Sequence, residues 1–278
     1  MGIRKILGTG ALAFAFGMVA AGLAGPVRAN EPDRVLSFGV LNQQSPARTA
    51  QRWNPILKYL SEATGLRFQL RMGPTVQETD AMMGRGEFDL MFTNHNFAKE
   101  YDGVYKVIAR WAGKPIYGTI AVPADSPVRT LRELAGKRVA FPSREAFVAY
   151  AVPMVALRAA KVKVEEVLAG TQEGALAQLR ARQVDAAAVN SRFLTQYAAQ
   201  HGMPYREVFS SEGYAELPVI AHPRLPHGEV EAIQKALLGM KDDPKGAAAL
   251  EAGGAPGFEP ATERDYDNAR AIYRRIAE

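Results

Sequence analysis

The sequence predicts an α/β protein made of two similarly built lobes with a ligand cleft between them. Three observations carry that prediction. A local pattern occurs twice at a fixed interval: Thr75, Asp89, Asn94, Phe97 and Tyr101 are matched by Thr171, Asp185, Asn190, Phe193 and Tyr197, each pair 96 residues apart. Pro55 and Pro153 nearly keep that interval, at 98. Short apolar runs alternate with helical patterns, the grammar of sheets covered by helices on both faces. Finally, two apolar segments, 117–123 and 217–221, stand where a chain passing to a second lobe and back must cross. Two facing lobes make a cleft, the usual seat of a small ligand.

Residues 1–29 read as a secretory signal peptide outside the fold. Arg4 and Lys5 precede an apolar run from Ile6 to Ala24, and Val27-Arg28-Ala29 has the grammar of a cleavage site. The alternative is an uncut membrane anchor, for which the run is long enough. The leader holds three of the 34 Lys and Arg and none of the 29 acids, which leaves 31 cations against 29 acids, a balance of +2. No cationic block stands out, so nucleic acid and anionic membrane surfaces are poor partners. The 278-residue chain has no cysteine. Disulfides, a thiol nucleophile and a lipid on cysteine are thereby excluded, and stability must come from packed cores. The remainder, about 250 residues, has room for two domains of ordinary size.

Residues 34–41 have the apolar density and β-branching of a buried strand. Residues 42–46 follow as a loop. A helix fits 47–64, with Trp53, Ile56, Leu57 and Leu60 at helical spacing and Gly65 as its stop. Pro55 inside it removes a hydrogen bond or makes a kink. Residues 66–72 alternate as a second strand. Thr75 caps a helix running to Arg85, Gly86 ends it, and 88–92 form a short apolar strand. The grammar repeats after Gly118: strand 137–141, loop 142–145 with Ser143 as a cap, helix 146–160, strand 162–167, a helix opened by Thr171, and strand 184–189. Helices at 229–240 and 263–277, with a Gly-rich loop at 253–257, complete the first lobe. The chain thus divides into 30–117 (first lobe), 118–215 (second lobe) and 216–278 (return crossing and completion of the first lobe).

These pieces together resemble a known family. Arg-Trp-Asn-Pro-Ile-Leu-Lys-Tyr-Leu (52–60), Gly-Glu-Phe-Asp-Leu (86–90), Tyr-Gly-Thr-Ile-Ala-Val (117–122), Thr-Leu-Arg-Glu-Leu-Ala-Gly-Lys-Arg-Val-Ala-Phe (130–141), Gln-Val-Asp-Ala-Ala (183–187), and Gly-Phe-Glu-Pro-Ala with Asp265-Tyr266 are similar to the two-lobed periplasmic solute-binding proteins that feed ATP-driven importers. The closer resemblance is to the branch that binds phosphonate, phosphite and related oxyanions. It implies the two-lobed periplasmic binding protein fold, each lobe a mainly parallel sheet flanked by helices, with two crossing segments as hinge. It also implies a periplasmic location, a small anion as ligand, an inner-membrane permease as partner, no cofactor, and a monomer. In the phosphonate binders the loop after the second lobe's first strand resembles Asp-Pro-x-Ser-x-Ser-Gly. Here it is Phe141-Pro142-Ser143-Arg144-Glu145-Ala146-Phe147, and only Ser143 keeps the hydroxyl. Those relatives usually carry Gly-Pro at the helix entry after the motif aspartate; here the entry is Thr93-Asn94-His95-Asn96. Both departures fall where ligand should touch.

In open parallel sheets, ligand sits beyond the carboxyl ends of strands, beside helix starts whose free N–H groups favour an anion. Four loops meet that condition: 42–46, 93–97, 142–146 and 190–192. The candidate ligand residues are Asn42, Gln44, Thr93, Asn94, His95, Tyr117, Ser143, Arg144, Glu145 and Asn190. Arg144 leads, because a guanidinium grips an oxyanion through two parallel bonds; its alternative is a surface arginine paired with Glu145 or another acid. His95 is either a ligand contact or a loop histidine. Asn94 and Asn190 serve first as helix caps, and Tyr117 either faces the cleft or packs the hinge. Asp89 and Asp185 stabilise the entries to their strands, and Trp53 and Trp111 belong to the core. An enzyme on this fold is the rival class, but no histidine has a partner at metal-binding spacing, and nucleophile-elbow and phosphate-loop motifs are missing. Catalytic residues and metal ligands are therefore expected to be none. A third class is a periplasmic sensor subunit docking on a membrane histidine kinase.

Overall fold

The chain first lays down β1 (Val35–Val40), α1 (Pro46–Thr64), β2 (Arg67–Arg71), α2 (Val76–Gly84), β3 (Leu90–Phe92) and β4 (Lys106–Trp111) in the computed structural model, which describes residues 34–42 and 45–278. The predicted leader (1–29) and Gln44 lie outside the described residues. A second set follows: β5 (Gly118–Pro123), β6 (Arg138–Phe141), α3 (Val152–Ala159), β7 (Glu165–Leu168), α4 (Gln172–Arg180), β8 (Ala186–Asn190), α5 (Ser191–His201) and β9 (Tyr205–Ser210). The chain closes with β10 (Pro218–Ala221), α6 (His227–Gly239), α7 (Pro244–Gly253), β11 (Phe258–Glu259) and α8 (Asp267–Ala277).

Two sheets result, ordered β11-β4-β10-β3-β1-β2 and β7-β6-β8-β5-β9. In each, three strands pair in parallel, as β2-β1-β3 and as β7-β6-β8. The strand arriving from the other unit inserts antiparallel: β5 between β8 and β9, and β10 between β3 and β4. It comes directly from the crossing, without the helical crossover that a parallel neighbour needs. Four strands of each sheet still run one way, so the sheets are parallel in the main and mixed in their pairing.

The 96-residue repeat has a physical meaning. Asp89 precedes β3 and accepts from the Ser37 N–H of β1 at 2.8 Å, while its own N–H donates back to the Ser37 carbonyl at 3.0 Å. Asp185 precedes β8 and does the same with Arg138 of β6, at 2.9 Å in both directions. Each aspartate clasps two of its sheet's parallel strands together. The paired threonines also match: Thr75 caps α2 through Glu78 N–H (3.1 Å), and Thr171 caps α4 through Gly174 N–H (2.9 Å).

Trp53 is almost wholly buried, with the rings of Phe38 and Phe92 at 4.9 and 4.8 Å. Trp111 is half-buried instead: it lies parallel to Trp53 at 6.2 Å, with the Arg52 guanidinium 5.5 Å from its ring. The crossing segments run antiparallel, and Ile116 and Tyr214 exchange both backbone hydrogen bonds, at 2.8 and 2.9 Å. Phe147, Val148 and Val152 join the first sheet's apolar cluster, so the two halves of the core are continuous beside the crossings. The helix expected over 146–160 is in fact a π turn, Phe147–Ala151, followed by α3. Pro153, in the first turn of α3, has no N–H to give, and the widened turn lies just before it.

Candidate functional site

At the carboxyl edge of the first sheet, polar side chains tie the loops together. Asn42, just past β1, donates to the Gly73 carbonyl (2.9 Å) and accepts from the Thr79 hydroxyl (2.6 Å). That hydroxyl accepts from Gly73 N–H (2.8 Å). Gly73 is tight here, since a Cβ would lie 2.8 Å from the Thr79 nitrogen. Both ends of the Asn42 amide thus take part in a scaffold that joins the first two loops to α2.

The loop after β3 is buried and polar. Thr93 donates its N–H to the Pro218 carbonyl (3.2 Å) and accepts on its hydroxyl from His95 N–H (3.0 Å), so it shapes the loop. A 3-10 turn, His95–Phe97, follows. Phe97 fixes that turn, with Tyr266 stacked at 4.5 Å and the Arg270 guanidinium at 4.7 Å. The His95 Nδ1 lies 2.9 and 3.1 Å from the two Asp80 carboxylate oxygens. A carboxylate only accepts, so Nδ1 carries the hydrogen. Asn94, His95 and Asn96 are 6, 5 and 3 % exposed. Asn94 makes no capping bond, against expectation, because its backbone already lies in the turn (φ −112°, ψ 5°). Neither its amide nor the His95 Nε2 has a hydrogen-bond partner among the described residues, and the Asn96 Oδ1 is sealed from solvent without one.

The facing wall comes from the second sheet. Arg144 places a guanidinium nitrogen 3.3 Å from the Glu166 carboxylate, which also accepts from the Tyr150 hydroxyl at 3.0 Å. Arg144 itself is exposed. Glu145 accepts from Gln77 Nε2 of α2 at 2.6 Å, a direct link between the units. Ser143 does not cap the next helix, because the π turn starts later, after Ala146. Asn190 does cap α5 through Arg192 N–H (2.9 Å), and its own N–H donates to Gln172 Oε1 (2.7 Å). Tyr117 is exposed at the crossing and gives its carbonyl to Ser191 N–H (3.0 Å). Beside it, Arg192 donates to the buried Glu216 carboxylate at 2.6 Å.

Three residues escaped the sequence reading. Gln77 and Asp80 stand three apart on α2, hence on one helix face; Gln77 reaches Glu145 of the second sheet's unit and Asp80 reaches His95 of the loop after β3. Tyr273 of α8 stacks on Phe147 at 5.1 Å and has a shielded hydroxyl without a hydrogen-bond partner among the described residues. Burial, then the Asp80 and Glu100 carboxylates, push that hydroxyl's pKa well up, so it stays protonated. The spacing of Gln77 and Asp80 was a usable signal; nothing local marks Tyr273. The structure thus brings together the loops at 42, 73–80, 93–97 and 142–147. Among the described residues, no group of three or more His, Asp or Glu could hold a metal ion.

The family model for the phosphonate periplasmic substrate-binding proteins of ABC transporters matches residues 38–266. The chain belongs to that family. Its members are periplasmic substrate-binding components of transporters, and the family implies a periplasmic location. No curated protein matches the chain. Among solved structures, XAC2383 from Xanthomonas citri bound to chloride ion shares 18% identity with a TM-score of 0.76, covering 87% of this chain and 98% of that one. PhnD1 from Prochlorococcus marinus in complex with methylphosphonate shares 17% at TM-score 0.74, covering 88% and 99%. A binding protein component of an ABC phosphonate transporter from Pseudomonas aeruginosa shares 14% at TM-score 0.71, covering 87% of both. At such identities the likeness is one of fold, the two-lobed periplasmic binding protein fold.

Proposed function

We propose that the groove between the 93–97 loop and the 142–147 segment captures a small oxyanion of the phosphonate class and hands it to an inner-membrane permease. The working form is a periplasmic monomer freed of residues 1–29, with lobes 30–117 plus 216–278 and 118–215. One observation carries this reading. Three consecutive side chains, Asn94, His95 and Asn96, are nearly buried yet keep polar atoms with no hydrogen-bond partner among the described residues. Buried polar groups are otherwise almost always paired, so such a row calls for a polar ligand. Arg144 has guanidinium nitrogens beyond the one that faces Glu166, and Tyr117 and Ser143 complete the facing wall. Closure about the crossings at 116–118 and 211–217 follows from the ligand touching both lobes, since a ligand shifts a conformational balance only by its differential affinity.

A thermal-shift series over phosphate, phosphite, methylphosphonate, methanesulfonate and selenite tests the assignment. A ligand held only by the folded form at one hundred times its Kd stabilises by about 2.7 kcal/mol. For a domain of this size that raises Tm by roughly 5–10 °C. A response to amino acids alone, with none to any oxyanion, refutes it.

A further inference from the structure

The loop after β3 contains a dyad whose consequence goes beyond anion capture. Asp80 lies one helical turn behind Gln77 on α2, and both of its oxygens face the His95 Nδ1. The carboxylate fixes the hydrogen on Nδ1, and so determines what Nε2 can do. In the neutral imidazole Nε2 is a bare acceptor, and in the imidazolium it is a donor. Nε2 has no partner among the described residues. The groups around the dyad offer no substitute proton source. Glu100 and Tyr101 approach from the segment after the loop, and Tyr273 and Arg270 from α8. The hydroxyls of Tyr101 and Tyr273 are held protonated by burial and by the Asp80 and Glu100 carboxylates, and Arg270 is engaged with Asp102 and Glu263. Across the groove, Glu145 is taken by Gln77.

Resting on the oxyanion reading above, we infer that His95 binds its ligand through one shared proton at Nε2, with Asp80 as the positioning residue that commits the other nitrogen. Either the anion brings a hydroxyl, which donates to the neutral imidazole, or a fully deprotonated anion meets an imidazolium whose Nε2–H donates. The contact holds one proton in both cases. A ligand fully deprotonated in solution must therefore draw one proton from the solvent on binding to a neutral imidazole: an N–H bond forms at Nε2 and the buffer supplies the proton. An anion that already carries a hydroxyl draws none. The site so distinguishes oxyanions by protonation state as well as by shape.

The experiment is titration calorimetry of the mature protein with methylphosphonate, in two buffers of different ionisation enthalpy, at about pH 6 and about pH 9. The expected uptake is about one proton at the higher pH and none at the lower, where the phosphonate keeps its hydroxyl and any imidazolium must give its proton up on binding, with affinity falling about tenfold per pH unit once imidazole and phosphonate are both deprotonated. The side chain introduced by His95→Gln retains an amide donor but does not titrate; the uptake and the slope should vanish in that variant. Tight binding at about pH 9 without uptake in the wild type overturns the inference, as does equal uptake in the variant. Nitrogen-15 spectra of the unliganded protein give a test independent of ligand. They should show His95 as the Nδ1–H tautomer, and Asp80→Asn should weaken that preference. An Nε2–H tautomer overturns the inference even if methylphosphonate never binds. No heat with methylphosphonate alongside the Nδ1–H tautomer instead sinks the oxyanion reading and leaves the dyad standing.

Discussion

Replacing Asp89 by alanine removes more than replacing its repeat partner Asp185, although both do the same thing to the backbone. The Asp89 carboxylate accepts from Ser37 N–H, from the Ser37 hydroxyl and from Arg224 Nε, each at 2.8 Å, with Arg34 at 3.7 Å, and its side chain is only 13 % exposed. Two of those donors belong to buried Ser37. A lost bond to a charged acceptor costs about 1.5–3 kcal/mol, and a stranded buried donor about 1–3 kcal/mol. Partly exposed Arg224 regains water, so the net is about 3–4 kcal/mol. The Asp185 carboxylate holds one backbone N–H, that of exposed Arg138, at 2.9 Å. Water replaces it, and about 1 kcal/mol is lost. Thermal unfolding should place Asp89→Ala roughly 6–16 °C below the wild type and Asp185→Ala roughly 2–4 °C below. The pH dependence sharpens the test. Burial alone would raise the Asp89 pKa, but Arg224 and Ser37 together hold it below the usual carboxylate range. A depressed carboxyl stabilises above its unfolded pKa of about 3.9 and loses that contribution as acid protonates the native form. The gap between wild type and Asp89→Ala should therefore close below about pH 4. Equal losses for the two variants, or a gap that persists in strong acid, would refute the reasoning.

Three further outcomes follow from the same structure. At the crossing, a Cβ on Gly118 would lie 2.2 Å from the Val148 carbonyl oxygen of the π turn. Gly118→Ala should thus cost about 3 kcal/mol or more by overpacking, whereas Gly239→Ala, which meets nothing within 4 Å, should leave the melting curve unchanged or raise it. Gln77→Ala removes the exposed bond to Glu145; stability should fall by less than about 1 kcal/mol, while the affinity for the anion that scores in the thermal screen weakens a few-fold, read by calorimetry. His222 accepts from Arg224 N–H on Nδ1 at 3.1 Å, and burial, then the Arg224 charge, lower its pKa. The unfolded chain therefore takes its proton first, so stability should fall as pH drops below the ordinary histidine value of about 6.5, and His222→Gln should flatten that part of the curve of Tm against pH.

The fold was legible where one lobe's chemistry had to be written twice. Asp89 and Asp185 serve the same backbone clasp, and Thr75 and Thr171 the same helix start, so selection for local geometry leaves matching residues at one interval. The repeat fades where the two lobes do different work. Phe97 is buried under Tyr266, but its counterpart Phe193 is 44 % exposed, because α5 starts at Asn190 where the first lobe has only a 3-10 turn. Strands β4 and β9 went unread because neither shows clean alternation. Lys106, Arg110, Arg206 and Glu207 interrupt them, and pairing with β10 and β5 decides their place instead. The site was half legible for a related reason. His95 and Arg144 stand on loops whose position beyond strand ends is a sequence property, but their partners are not local. Asp80 reaches His95 from a separate helix, and Glu166 reaches Arg144 from an edge strand. Such pairs are fixed by how α2 and β7 pack, so a reading of loops finds His95 and Arg144 and misses the partners that orient them. The departures from the family's Gly-Pro entry at 94–96 then acquire a reason. A glycine there would supply only backbone amides, whereas Asn94, His95 and Asn96 add polar side chains, among them the buried Asn96 Oδ1, which has no hydrogen-bond partner among the described residues.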